Sequence, residues 1–235
     1  MSRRIRAVLF DIDNTMLNLF ALHKVSYAQV FEDIFSIRAG IDDIAFSGKT
    51  TPNIFREVCL KHGLPNDFVE ARLAAACDYL TTISEQKLRA LGDDIQQYVL
   101  PGVRALLDDL QESGLTLGVL SGNPPDLGHL VLKCARLHTY FRLFTFGTEA
   151  NTRGELAQLS LYKLRALIDP QLQSEQIVII GDATADMQAA LQIGALSMAV
   201  ATGFHSYSEL AALGPHWLFP DLADTAHVLA ALDEK

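Results

Sequence analysis

Positive charge is in short supply in this chain. Lys and Arg number 19 against 28 Asp and Glu, a formal net charge of −9 over 235 residues. A nucleic-acid surface needs clustered basic residues, so that class of partner is excluded. A small phosphorylated ligand responds only to local charge and is not. Cysteine is equally sparse. Cys59, Cys77 and Cys134 are odd in number, widely spaced and form no CxxC pair, which argues against a disulfide framework and a thiolate zinc site. Reduced thiols in a cytoplasmic protein are the expectation. No apolar run is long enough to span a bilayer, and there is no internal repeat or low-complexity tract. The basic stretch from Met1 to Arg6 resembles the lead of a signal peptide, but the apolar run after it stops at Asp11, too short for an h-region. A P-loop is missing as well: Gly48-Lys49-Thr50 would need a glycine at position 43, which is Asp43, and no buried strand precedes it.

What is present is ordinary core material, with 49% hydrophobic and 20% charged residues. The stretch Ala7-Val8-Leu9-Phe10-Asp11-Ile12-Asp13-Asn14-Thr15 organises the rest. Its apolar start, without helical spacing, reads as a strand buried on both faces. Side chains alternate along an extended chain, so Asp11 and Asp13 share a side while Ile12 turns back into the protein. Two like charges side by side are costly unless a cation or a proton lies between them.

Helical periodicity dominates from Leu17 to about Leu91. Tyr27, Val30, Phe31, Ile34 and Phe35 form one stripe, closed by Gly40. Thr51-Pro52 reads as a helix start with Thr51 as N-cap, and Ile54, Phe55, Val58 and Cys59 form its buried face up to Gly63. A third helix is expected from Asp67 to about Tyr79 and a fourth after Ser84. The expected organisation is a core of residues 1–16 and 97–235, with a helical cap of residues 17–96 inserted after the first strand, over the end that carries Asp11 and Asp13.

From Leu100 the pattern becomes strand, helix, strand. Pro101 opens a helix that Gly114 ends. Leu115 to Leu120 is a strand running into Ser121-Gly122-Asn123-Pro124-Pro125, followed by a helix from about Asp126 to Leu137, a strand end and helix start suited to anions. Phe141 to Phe146 reads as a strand and Arg153 to Leu167 as a helix. Ile177 to Ile180 is a β-branched buried strand that breaks at Gly181-Asp182-Ala183-Thr184-Ala185-Asp186. Asp182 occupies an N-cap position and Asp186 lies one turn on. Leu196 to Val200 and His216 to Phe219 are further strands. This alternation predicts an α/β fold, a Rossmann-like parallel sheet with helices on both faces and an inserted helical cap. Ligands gather beyond the carboxyl ends of such strands, where Asp11, Asp13, Ser121, Asp182 and Asp186 all fall.

Carboxylates converging on one spot, with no His or Cys at ligand spacing, favour a hard cation such as Mg²⁺. The Ser121 hydroxyl and neighbouring amides suit the oxygens of a phosphoryl group. One carboxylate can attack phosphorus and a second can pass protons to and from the departing oxygen and water. The motifs Asp-Ile-Asp-Asn-Thr, Ser-Gly-Asn after a buried strand and Gly-Asp-x-x-x-Asp resemble those of the haloacid dehalogenase-like hydrolase superfamily. The helical block after the first motif looks like that of its phosphoglycolate phosphatase-like members.

This resemblance implies Asp11 as nucleophile and Asp13 as general acid/base. It implies Mg²⁺ held by the Asp11 carboxylate, the Asp13 carbonyl and Asp182, with Asp186 and Thr15 in support. Ser121, with Gly122 and Asn123, would bind the phosphoryl group. The family's Lys-Pro motif is absent. Arg153, near a strand end, is preferred over Lys163 as the phosphate-neutralising cation. Lys49, in a loop from Phe46 to Thr51 that faces the site, is the cap candidate for specificity. The expected activity is Mg²⁺-dependent hydrolysis of a small phosphorylated metabolite through an aspartyl-phosphate. Asp13 argues against dehalogenation. A phosphomutase, a phosphonate hydrolase using Lys24, Lys49 or Lys61 in a Schiff base, and a non-catalytic binding protein are the alternatives.

Overall fold

The computed structural model describes residues 5–233; residues 1–4 of the basic lead lie outside it. Six strands form one parallel sheet: β1 (Ala7–Phe10), β2 (Thr116–Leu120), β3 (Leu143–Thr145), β4 (Ile177–Gly181), β5 (Leu196–Val200) and β6 (Trp217–Phe219), in the order β3-β2-β1-β4-β5-β6. Phe10 pairs with Val119 on one side and Ile180 on the other. The three central strands therefore end level, and the chain crosses to opposite sides of β1, the switch point where α/β sheets bind ligands.

Strand alternation divides the core between the two faces. Val8, Phe10, Val119, Val178 and Ile180 join the cluster that contains α5 (Val103–Glu112), α6 (Pro125–Cys134) and α10 (Thr225–Asp233). Ala7, Leu9, Leu120, Ile177 and Ile179 pack with α7 (Arg153–Leu167) and α8 (Thr184–Ile193). A short helix, α9 (Tyr207–Ala211), follows β5. Both faces being covered explains why the central strands read as continuous apolar runs.

Between β1 and α5 lie four helices: α1 (Phe20–Phe35), α2 (Thr51–Lys61), α3 (Asn66–Glu70) and α4 (Leu73–Leu91). Of the predicted stripe of α1, Tyr27, Val30, Phe31 and Phe35 are buried and Ile34 partly so, and Tyr27, Phe31 and Phe35 gather around Phe55 of α2 at centroid distances of 5.3, 5.6 and 5.8 Å. The chain leaves and re-enters the core through neighbouring segments. Leu17 bridges Val99 antiparallel, Asn18 donates its N–H to the Tyr98 carbonyl at 2.9 Å, and Leu100 to that of Met16 at 2.9 Å. Among the described residues no helix is long and apolar enough to cross a membrane.

Several boundaries differ from the sequence reading. α1 ends at Ser36, which takes the left-handed conformation (φ 57°), so Gly40 closes nothing. Thr50, not Thr51, precedes α2, and it makes no side-chain cap because its hydroxyl donates to the Asn151 carbonyl of the core. The break expected between Tyr79 and Ser84 is instead at Ala71 and Arg72, and α4 runs unbroken through a buried Ser84. The guanidinium of Arg72 lies 3.6 Å over the Phe68 ring at that corner. α5 starts at Val103 rather than Pro101, after Gly102 at φ 78°, where a Cβ would overlap the Leu222 carbonyl oxygen at 1.7 Å. α6 covers Pro125–Cys134, shorter than Asp126 to Leu137, and β3 covers only Leu143–Thr145 of the expected Phe141 to Phe146.

Candidate active site

Asp11 directly follows β1 and keeps the parity of Ala7 and Leu9, the side that faces α7 and α8. Arg153, the first residue of α7, meets it there. The guanidinium Nη2 lies 2.6 Å from Asp11 Oδ1 and 2.6 Å from Asp186 Oδ1, and Nε donates to Asp186 Oδ1 at 2.7 Å. Both carboxylates and the guanidinium are buried. One guanidinium lies between the two carboxylates, and its charge and its Nε hydrogen bond to Asp186 offset part of the cost of burying them. Lys163, the alternative cation, points elsewhere. It is tied to Glu149 and the Phe144 carbonyl.

Asp182 follows β4, and Ala183, not Asp182, occupies the cap position of α8. Asp186 serves that helix instead, its Oδ2 accepting the Ala183 N–H at 3.1 Å. Asp182 is thereby released toward Asp11. Oxygens of Asp11, Asp182 and Asp186 lie within 4.8 Å of one another. Thr15 donates to Asp182 Oδ1 at 3.2 Å, while Asp182 Oδ2 is buried with no hydrogen-bond partner. Gly203 gives that carboxylate its room, since a Cβ there would stand 1.7 Å from Oδ2. An all-oxygen set with one orphaned buried carboxylate oxygen fits a hard divalent cation.

Asp13 stands apart from this trio. Asn14 adopts the left-handed conformation (φ 57°), which Asn tolerates better than most residues, and turns the chain there. Asp13 Oδ1 lies 2.7 Å from His23 Nε2, and Oδ2 accepts from the Asn123 amide at 2.6 Å. His23, through its contact with Asp13, is the site residue that sequence reading missed. It falls on α1 at helical spacing from Phe20 and Tyr27 on a largely buried face, and a histidine on such a stripe was the available signal.

Gly122 and Asn123 line the cavity above Asp11, with Lys49 and the loop from Phe46. Ser121 does not line it: the residue is fully buried and its hydroxyl accepts the Asn123 N–H at 3.3 Å. Gly122 also docks the helical block, accepting the Thr51 N–H at 2.8 Å. A Cβ on Gly122 would stand 2.2 Å from the Lys49 carbonyl oxygen. Lys49 itself pairs with Glu57 at 2.5 Å.

The electrostatics follow from burial. Desolvation pushes the Asp11 carboxyl up to about 7; Arg153 opposes this, while Asp186 and Asp13 add to it. Asp182 is raised well above the usual carboxylate range, by burial first and then by Asp11 and Asp186. Burial works against the charged forms of both Asp13 and His23, yet their mutual attraction wins. The Asp13 carboxyl is lowered and the His23 imidazole raised. A divalent cation requires the ionised form of Asp11. Below about pH 7 a divalent cation bound here would have to expel a proton from Asp11, so apparent affinity for such an ion would rise with pH, by up to about tenfold per unit for each displaced proton. Calorimetry from pH 6 to 8, in buffers of differing ionisation enthalpy, will show both the rise and the released proton. An affinity flat across that range would contradict the burial account.

The profile of the haloacid dehalogenase-like hydrolases matches residues 5–194. A phosphoglycolate phosphatase from Synechococcus elongatus is 32% identical over 146 residues, 61% of this chain and 66% of that protein. The pyrophosphatase PpaX of Oceanobacillus iheyensis is 22% identical over 94% of each chain. In structure, a β-phosphoglucomutase from Clostridium difficile superposes with a TM-score of 0.77, at 14% identity and 98% coverage of both chains, a likeness of fold. The matched segment contains Asp11, Asp13, Ser121, Arg153, Asp182 and Asp186, and on that match the chain belongs to the haloacid dehalogenase-like hydrolase family.

Proposed function

We propose that the protein is a Mg²⁺-dependent phosphatase that hydrolyses a small phosphate monoester through an aspartyl-phosphate on Asp11. The observation that carries this reading is the buried meeting of Asp11 with Arg153 beside Asp182, at the level ends of β1 and β4. A carboxylate Oδ of Asp11 attacks phosphorus as the ester P–O bond breaks. The departing oxygen takes a proton held by the Asp13–His23 pair. Water then attacks the aspartyl-phosphate, the pair regains a proton from it, and free phosphate leaves with Asp11 restored. Arg153 and the donors of Gly122 and Asn123 hold the non-bridging oxygens, where charge gathers, and Ser121 braces Asn123 from below. Asp11, the Asp13 carbonyl and Asp182 would hold Mg²⁺, with Thr15 and Asp186 steadying the carboxylates. Bound there, the ion supplies positive charge to the phosphoryl group.

The pyrophosphatase and phosphoglycolate phosphatase relatives support phosphoryl chemistry, and the free thiols of Cys59, Cys77 and Cys134 suit a reducing, cytoplasmic setting. Incubation with ethyl phosphate will release one free phosphate per ethanol, stopped by chelation and restored by Mg²⁺. Ester consumed without free phosphate would indicate transfer to another acceptor, and a panel of monoesters left intact with Mg²⁺ present would refute the proposal.

A further inference from the structure

The wall facing Asp11 from the helical block is apolar. Phe20, Tyr27, Ile41, Phe46 and Ile54 line the cavity above the carboxylates. Phe20 stacks on Phe46 at 5.4 Å, and Phe204, from the core loop after β5, closes on both rings edge-on at 4.6 and 5.0 Å. The polar groups on this wall are neutral or already matched. Tyr27 Oη and Thr51 Oγ are hydrogen-bonded to each other at 2.8 Å, and burial raises the Tyr27 phenol far above its ordinary range, so it stays uncharged. Of the cations that line the cavity, Arg153 lies on Asp11 and Asp186, His23 on Asp13, and Lys49 on Glu57. Each already faces a carboxylate. A charged group brought against this wall would lose water and gain no free counter-charge, and such burial is strongly unfavourable.

We infer that the alcohol portion of the substrate is small, uncharged and apolar on the side facing Phe20, Phe46 and Ile54, and that the site disfavours esters whose alcohol carries a carboxylate. This rests on the phosphatase reading and adds its substrate class. The cavity between the carboxylates and this wall is narrow, about 70 Å³, which favours a small alcohol. Its neutral polar atoms, if any, face the Tyr27–Thr51 pair.

Isobutyl phosphate and 2-phosphoglycolate have the same number of heavy atoms and differ in a neutral isopropyl against a carboxylate. In the Asp11→Asn protein with Mg²⁺, calorimetry will show isobutyl phosphate binding at least tenfold more tightly. In the wild-type protein kcat/KM will favour it in the same sense. Phe46→Arg, at a partly exposed position of the loop, will shift the preference at least tenfold toward 2-phosphoglycolate. Equal or tighter binding of 2-phosphoglycolate to Asp11→Asn, or no binding of isobutyl phosphate, would overturn the inference. Release of phosphate from 2-phosphoglycolate in that event would leave the phosphatase reading standing. Binding in the expected order with no phosphate released from either ester by the wild-type protein would instead overturn that reading and keep the cavity's preference.

Discussion

Asp11→Asn lowers phosphate release by about 10⁴-fold or more, the scale seen when a nucleophile is removed from a cooperating site, and leaves the fold intact. The amide keeps the shape of the carboxylate but has no charge with which to attack phosphorus. Thermal melting will separate loss of chemistry from loss of structure. In the folded protein the Asp11 carboxyl is pushed from 3.8 to about 7. Between those values the metal-free fold binds more protons than the unfolded chain does. Its stability therefore falls as pH rises through that window. A neutral amide at position 11 removes this contribution, so the metal-free variant gains relative to wild type as pH rises from 5 to 8. Unchanged turnover in Asp11→Asn would end the assignment of the nucleophile.

The second large effect is on stability. Arg153→Met leaves the buried carboxylates of Asp11 and Asp186 facing each other without the guanidinium that lies 2.6 Å from both. Breaking a buried ion pair from one side costs about 3–5 kcal/mol. For a chain of this size that lowers the melting temperature by roughly 6–20 °C. Phosphate release falls as well, by about 10²–10³-fold, because a fixed positive charge is lost from the phosphoryl side. Added Mg²⁺ will recover part of the lost melting temperature, since it meets the same carboxylates. Arg153→Lys keeps the charge but loses the two-pronged contact and falls between the two. A melting temperature for Arg153→Met equal to that of the wild type would show that Arg153 is not what neutralises the pair.

The sequence was most informative where a residue's surroundings come from its own strand. Ile177 to Ile180 reads as a buried strand because every side chain meets a helix on one face or the other. Asp11 and Asp13 stand out because charge follows directly on such a run. Helix boundaries in the block were less readable. Thr50 precedes α2 without capping it, its hydroxyl taken by the distant Asn151 carbonyl, and the helices break at Ala71 and Arg72, where no glycine or proline marks the corner. The first partnership lies far outside any local window. His23 was missed for a related reason: its partner is Asp13, on another element, and periodicity scores a histidine on an apolar stripe only as an interruption. Lys49 was singled out as a charge in a loop, but Glu57, nearly two turns into α2, has already taken it.

The seam between block and sheet has a consequence for the tempo of the enzyme. Thr51 bonds to Gly122, and Thr50 and Asn53 both reach the Asn151 carbonyl, while Leu17 and Val99 pair where the chain passes between the two parts. Gly122, Lys49 and Thr51 of that seam also line the cavity beneath the phenylalanines. Loosening of the seam during turnover would make product departure sensitive to solvent viscosity while leaving bond cleavage itself untouched.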